Sequence, residues 1–192
     1  MLFTSEQVSA GHPDKICDQI ADAIVTDCLR HDRDSRVAVE CMIKDCMILI
    51  AGEITSKHAP DYEILCREVL RCIGDPDPDA YLVNSLVTCQ SRDIAVGVDR
   101  GGAGDQGLVF GYATNETPEM LPLPFAVATR ALELLRGLHS PLLRPDAKSQ
   151  VTFDYSGRRI HTFLISTQHR AYVEQRDIYE LVRSVMDDVA DA

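Results

Sequence analysis

The sequence predicts an α+β fold of repeated α/β units, one complete and a second lacking its last part. Three observations carry this expectation. Helix-patterned and strand-patterned stretches follow each other in the same order twice along the chain. Each half centres on two β-rich apolar runs a few residues apart, which reads as a hairpin. A glycine-rich run, Val98–Tyr112 (VDRGGAGDQGLVFGY), marks a loop between the halves. The expected units are residues 1–100 and 101–192.

The first helix is Pro13–His31. Pro13 suits the first helical position, and Ile16, Ile20, Ile24 and Leu29, with Ala21 and Val25 beside them, form an apolar stripe. Arg36–Lys44 and Cys46–Ile54 read as strands joined by a tight turn at Asp45. Ala59-Pro60-Asp61 opens a second helix that runs to about Ile73, where Gly74-Asp75-Pro76-Asp77-Pro78-Asp79 breaks it. Leu82–Gln90 reads as a third strand. Beyond the glycine-rich run come a helix (Leu123–Leu138), a hairpin (Gln150–Tyr155 and Ile160–Gln168 around Ser156-Gly157) and a helix (Glu174–Val189). The first unit has a strand after its second helix, whereas the second stops at the helix. A sheet without its last strand is expected to leave an unpaired edge, with apolar residues such as Ile160 and Ile165 beside it, where a partner can add a strand.

Composition bounds the function. An apolar fraction of 45% over 192 residues is enough for a real core, and a mean hydropathy of −0.08 argues against disorder of the whole. The longest apolar run, Cys46–Ala51, is too short to cross a bilayer, and the N-terminus carries no signal-like segment. There are 18 acids against 10 bases in residues 1–100 and 12 against 9 in 101–192, so neither a nucleic-acid binder nor an anionic-membrane binder is expected. The seven cysteines (17, 28, 41, 46, 66, 72 and 89) are odd in number and form no C-x-x-C pair. They read as buried, reduced thiols of a cytoplasmic protein.

Four clusters carry chemistry. Gly11-His12-Pro13-Asp14-Lys15 opens a helix, where free N–H groups and the dipole favour an anion. His12 and Lys15 add donors for a phosphate, and Asp14 beside a phosphate calls for a bridging cation such as Mg²⁺. Ordinary capping, with His12 exposed, fits the same spacing. Glu40 and Glu53 lie one on each strand of the first hairpin, both in apolar contexts. A buried carboxylate there needs a cation or donors, while an edge charge placed for solubility needs neither. The run Gly101-Gly102-Ala103-Gly104-Asp105-Gln106-Gly107 lets backbone approach a ligand closely, or is a flexible linker. Finally, Asp146 and Lys148 flank Ala147 in an extended segment, so one acid and one base share a face, suited to a ribose or base edge and a phosphate or to a surface ion pair.

In order and wording these clusters resemble S-adenosylmethionine synthetase, also called methionine adenosyltransferase. The resemblance runs through FTSEQVSAGHPDKICDQIADA (Phe3–Ala23), VAVECMI, AGEITS, GVDR, GAGDQGLVFGYATNET, RPDAKSQVTFDY and ISTQH (Ile165–His169), nearly the whole chain. GHPDK, GAGDQG and RPDAKSQV are highly specific to that family. There are departures. The family's chains are about twice this length, and its second glycine-rich motif belongs beyond Ala192. The loop between Gly97-Val98-Asp99-Arg100 and Ala103-Gly104-Asp105, which in the family gates the active site, is several residues shorter. Arg92 stands where the family tends to have proline.

The resemblance implies three similar units around a pseudo-threefold axis, flat sheets forming a dimer interface, and active sites between subunits. It implies attack of the methionine sulfur on C5′ of ATP, loss of triphosphate, and hydrolysis of the triphosphate to phosphate and diphosphate. By resemblance His12 and Lys15 are catalytic. His12, Asp105, Asp146, Ala147 and Lys148 contact ATP, Glu53 and Gln90 hold methionine, Asp14 binds Mg²⁺ and Glu40 binds K⁺. The expectation is therefore one subunit of a split methionine adenosyltransferase, cytoplasmic, acting with a second polypeptide that supplies the C-terminal half in a hetero-oligomer with two or more copies of each chain. A non-catalytic regulatory or scaffolding paralogue bound to a full-length enzyme, and a self-sufficient ATP- or metal-binding enzyme, are the alternatives.

Overall fold

Each predicted hairpin is the centre of a three-stranded sheet. The computed structural model describes residues 1–190. In chain order its elements are β1 (Leu2–Val8), α1 (Pro13–His31), β2 (Arg36–Lys44), β3 (Met47–Thr55), α2 (Tyr62–Ile73), a 3-10 turn (Pro78–Ala80), β4 (Leu82–Thr88), α3 (Arg92–Val98), α4 (Leu123–Gly137), β5 (Leu143–Asp154), β6 (Arg159–His169) and α5 (Gln175–Ala190). Two of these, β1 and α3, have no counterpart in the expected elements. No helix among the described residues is long and apolar enough to cross a membrane.

The elements form two compact units that do not follow chain order. One comprises Met1–Lys15, Ile73–Asp75 and the chain from Tyr112 onward; the other comprises Ile16–Cys72 and Pro76–Gly111. In the first, the strand order is β1-β5-β6, with both neighbours antiparallel to β5. Residues 147, 149 and 151 of β5 are buried. On the inner face, Ser149 donates its hydroxyl to the Ala128 carbonyl of α4 at 2.6 Å. Ala131, Leu132 and Leu135 of α4 pack with Ala147 and with Val182, Val185 and Val189 of α5, and Phe163 and Ile165 of β6 extend this core. The hairpin turn is Tyr155–Arg158. Arg158, not Gly157, takes the left-handed conformation there, at φ 49°.

The expected open edge is present: among the described residues, β6 pairs with β5 alone. On the opposite side β1 completes the sheet in continuous register, from Leu2↔Asp154 to Val8↔Lys148. That pairing joins residues some 140 positions apart in the chain. Local alternation is no guide to it, because LFTSEQV holds only Leu2, Phe3 and Val8 as apolar residues.

In the second unit the order is β2-β3-β4, with β2 antiparallel and β4 parallel to β3. Lys44 pairs with Met47, which leaves a two-residue turn with Asp45 at φ 52°. Ile20, Ile24 and Cys28 form one buried stripe of α1, Ile48, Ile50 and Ile54 one buried face of β3, and Cys66 and Leu70 the buried side of α2. The Cys17 thiol (α1) helps to raise the pKa of Cys41 (β2), and Cys17 and Cys41 together help to raise that of Cys66 (α2). Burial is the larger cause, pushing Cys41 up to about 11 and Cys66 up to about 12. Gly52 has φ 144°, and a β-carbon there would sit 2.1 Å from the Ala38 carbonyl oxygen, so the close approach of β3 to β2 needs a glycine.

All seven cysteines are free, as expected, but burial holds for fewer of them. Cys28 and Cys66 are buried and Cys17 and Cys41 half-buried. Cys46, Cys72 and Cys89 are exposed, at the hairpin turn, on the outer side of α2 and just past β4.

Candidate active site

Six of the expected site residues fall in the first unit, and its geometry brings their two motifs together. Ser9 is the junction between them. Its hydroxyl donates to the Pro145 carbonyl at 2.7 Å and accepts from the Ala147 N–H at 2.8 Å, while its own N–H donates to the Ala147 carbonyl at 2.9 Å. Gly11 lies flat against β5, where a β-carbon would stand 2.4 Å from Pro145 Cβ and 2.5 Å from its carbonyl carbon. The segment GHPDK is therefore held beside RPDAK by the Ser9 hydrogen bonds and by the close approach of Gly11 to Pro145. Neither Ser9 nor the packing role of Gly11 was among the expected site features. The signal was a Ser two residues before the glycine, which reads equally well as loop polarity.

His12 is 7% exposed, so the alternative reading of it as an exposed capping residue does not hold. It caps nonetheless: Nδ1 accepts from the Asp14 N–H at 3.2 Å, satisfying one of the free donors of α1. With Nδ1 occupied as an acceptor, the neutral ring carries its proton on Nε2, which is then a donor. The Asp14 carboxylate projects into solvent, 89% exposed and 3.8 Å from Nδ1. Lys15 is half-buried in the next position of the helix. On β5, Ala147 is buried among the core residues and Lys148 is exposed on the opposite face. Asp146, half-buried, flanks Ala147 on the other side.

The remaining four residues fall in the second unit. Ala38 pairs with Glu53 and Glu40 with Ala51, so the two carboxylates are diagonal neighbours on one face of the sheet. It is the face opposite to Ile48, Ile50 and Ile54, and it carries Met42, Met47, Leu82 and Leu86, exposed by 47–68%. The apolar contexts of Glu40 and Glu53 therefore arise from strand alternation and from this bare apolar face, not from burial. Glu40 is exposed and Glu53 half-buried. No ion pair reaches either among the described residues.

Gln90 follows β4, two residues beyond Thr88, the partner of Glu53. Its Oε1 is buried without a hydrogen-bond partner. The glycine-rich run folds back here: a β-carbon on Gly104 would lie 3.4 Å from Val98 Cγ2 and 3.8 Å from Gln90 Nε2. Gly101 at φ 84° makes the turn out of α3, and the Arg36 guanidinium anchors Asp99 at 2.8 Å. Asp105 is exposed, with one carboxylate oxygen accepting from the Gln106 N–H at 2.7 Å. Arg92 is the first residue of α3, capped by the Ser91 hydroxyl. That position favours proline but does not require it, so this departure from the family pattern leaves the local helix intact.

Comparison with known proteins gives a consistent result. The model of the S-adenosylmethionine synthetase N-terminal domain matches residues 1–92, and that of the S-adenosylmethionine synthetase central domain matches residues 100–192. A curated S-adenosylmethionine synthase of Salinibacter ruber is 46% identical over 204 aligned positions, covering 96% of this chain and 53% of the relative. An alignment longer than the 192-residue chain means that the relative carries residues this chain lacks. The solved structure of an unusual S-adenosylmethionine synthetase from Campylobacter jejuni superposes with a TM-score of 0.85 at 34% identity, over 97% of this chain and 53% of that one. The chain thus spans about half the length of the relatives it matches.

Proposed function

The chain belongs to the S-adenosylmethionine synthetase family, and on that premise we propose that it supplies the N-terminal and central parts of an active site that forms S-adenosylmethionine from ATP and L-methionine. The observation that carries this reading is the Ser9 junction, which sets His12, Asp14 and Lys15 beside Asp146, Ala147 and Lys148 in one unit. The donor set matches the charge problem of the reaction. A triphosphate leaving group concentrates negative charge where it departs, and an Nε2–H imidazole with two ammonium groups offers charge-assisted hydrogen bonds there. His12 and Lys15 act on the leaving group, and Asp105, Asp146, Ala147 and Lys148 hold the rest of the nucleotide.

The carboxylates fit the cations of the family. Asp14 and Glu40 are exposed hard oxygen donors, which suit Mg²⁺ and K⁺ respectively. Bound there, the cations add positive charge against the developing negative charge of the leaving group. Glu53 and Gln90 suit the methionine ammonium: Glu53 as the counter-charge, and the buried Oε1 of Gln90 as an acceptor with no other partner.

We further propose that the family's C-terminal part comes from a second polypeptide. Support lies in the free edge of β6 and in the groove of about 430 Å³ lined by Ile165, Ile178, Tyr179 and Val182, which suits an added strand or helix. The bare apolar face of β2, β3 and β4 suits a sheet-on-sheet contact with another subunit. Both contacts together give a hetero-oligomer with two or more copies of each chain.

Cation titrations of the assembled enzyme test the site assignment. Asp14→Asn should weaken activation by Mg²⁺ and leave the K⁺ response in place, while Glu40→Gln should do the reverse. Identical shifts for both cations in both variants would contradict the assignment.

A further inference from the structure

A cluster away from every residue assigned above combines two imidazoles and a carboxylate. Asp27 and His31 lie one turn apart on α1, and His58 comes from the loop before α2. His58 Nε2 is 2.7 Å from Asp27 Oδ2, and His31 Nδ1 is 3.4 Å from Asp27 Oδ1. The three ligand atoms all lie within 4.8 Å of one another. None is deeply buried: the side chains of His31, His58 and Asp27 are 54%, 26% and 21% exposed.

We propose that Asp27, His31 and His58 form a binding site for one divalent first-row transition-metal ion of the Zn²⁺ class, separate from the Mg²⁺ and K⁺ of the reaction. The ligand set fits. Two imidazoles and a carboxylate are a recurrent three-ligand set for Zn²⁺, with water completing the tetrahedron, and they are a poor set for Mg²⁺, which prefers oxygen alone. In a tetrahedron with bonds of about 2.0–2.2 Å, ligand atoms stand roughly 3.3–3.6 Å apart, a spacing that falls between the 2.7 Å of the shortest contact here and the 4.8 Å within which all three atoms lie.

The scaffold holds the third ligand in place. The Asp32 carboxylate accepts from the Lys57 N–H at 2.9 Å, a bond that lowers its pKa, and the Ser35 hydroxyl donates to Ser56 Oγ at 2.7 Å. Ser56 Oγ in turn accepts from the His58 N–H at 3.0 Å. The loop bearing His58 is thus pinned to the C-terminal end of α1, where Asp27 and His31 reside. The two rings are stacked, with centroids 4.0 Å apart and planes 19° from parallel. Parallel rings direct their lone pairs alongside each other, so metal binding must turn one of them. His31 is the more exposed partner and is the one that turns, giving up the 2.9 Å contact of its Nδ1 with the Asp27 backbone carbonyl, while His58 Nε2 and Asp27 Oδ2 draw apart from 2.7 Å to the ligand spacing.

The test is titration of the full 192-residue chain with Co²⁺ and Zn²⁺, read by calorimetry and by the visible ligand-field band of Co²⁺. One ion should bind per chain, and millimolar Mg²⁺ should not displace it. His31→Gln retains the Asp27–His58 contact and so keeps the fold; it should weaken Co²⁺ binding by about tenfold or more, as should His58→Gln. Bound Zn²⁺ should raise the Tm of the parent chain and not that of either variant. The exposed thiols of Cys46, Cys72 and Cys89 are the competing ligands. Binding that survives both variants, or that produces only a sulfur-to-cobalt charge-transfer band in the near ultraviolet, would overturn the proposal, as would no binding at all.

Discussion

Replacing His12 with alanine in the assembled enzyme should slow adenosyl transfer by roughly 30- to 1,000-fold, equivalent to about 2–4 kcal/mol of lost transition-state stabilisation. The reason lies in the two ring nitrogens. Nδ1 is committed to the Asp14 N–H, and that commitment leaves Nε2–H as the only donor of a nearly buried ring. A donor aimed at charge that develops only as triphosphate departs acts on turnover and little on ground-state nucleotide affinity. His12→Ala also removes a helix cap, worth about 1 kcal/mol of stability. His12→Asn separates the two effects, since its amide oxygen can still accept from Asp14 N–H. The asparagine variant should recover the Tm and not the turnover. Unchanged turnover in the alanine variant, with ATP affinity measured alongside, would refute the role given to the imidazole.

The second large effect is steric. Gly11→Ala should destabilise the chain by about 1–3 kcal/mol, a fall in Tm of roughly 2–12 °C, and should lower activity with it. The added methyl would meet Pro145 Cβ at 2.4 Å and the Pro145 carbonyl group at 2.5–2.6 Å, and the carbonyl is backbone that no rotamer change can move. The start of α1 and the start of β5 must then separate, which strains the Ser9 hydrogen bonds that hold GHPDK beside RPDAK. Gly137→Ala is the control. It lies at the end of α4 with open space around its β-position, so alanine should cost nothing there. Equal melting temperatures for the two variants would show that the junction tolerates the methyl group.

Much of this architecture is legible in the residues themselves. The stripe Ile16, Ile20, Ile24 predicts α1 from Pro13 to His31, and those are its ends. Asp45 predicts the first hairpin turn, where it takes a left-handed conformation that aspartate tolerates. What escaped is long-range. The strand β1 exists because β5 offers it a partner some 140 residues away, and nothing in LFTSEQV announces that. The seven-residue helix α3 is too short for an apolar period to emerge.

The site divides in the same way. The motifs single out His12, Asp14, Lys15 and Asp146–Lys148 by residue type, but their proximity rests on the hydroxyl of Ser9 and the missing side chain of Gly11, which carry no charge to attract notice. Glu40 and Glu53 mislead for the opposite reason. Their apolar neighbours suggest burial, yet alternation places both acids on a sheet face that no helix of the unit covers. Only pairing register separates a buried acid from one on an uncovered apolar face, and register is not a local property.

The central claim is that this chain holds part of a shared active site and completes it with the family's C-terminal part. The direct measurement is formation of S-adenosylmethionine from ATP and L-methionine by the purified 192-residue chain, alone and after co-expression with the C-terminal half of the Salinibacter ruber relative as the complementing polypeptide. The account predicts no product from the chain alone and product from the pair, with the product lost again when His12→Ala is introduced. Steady turnover by the isolated chain at a rate normal for an enzyme would contradict it.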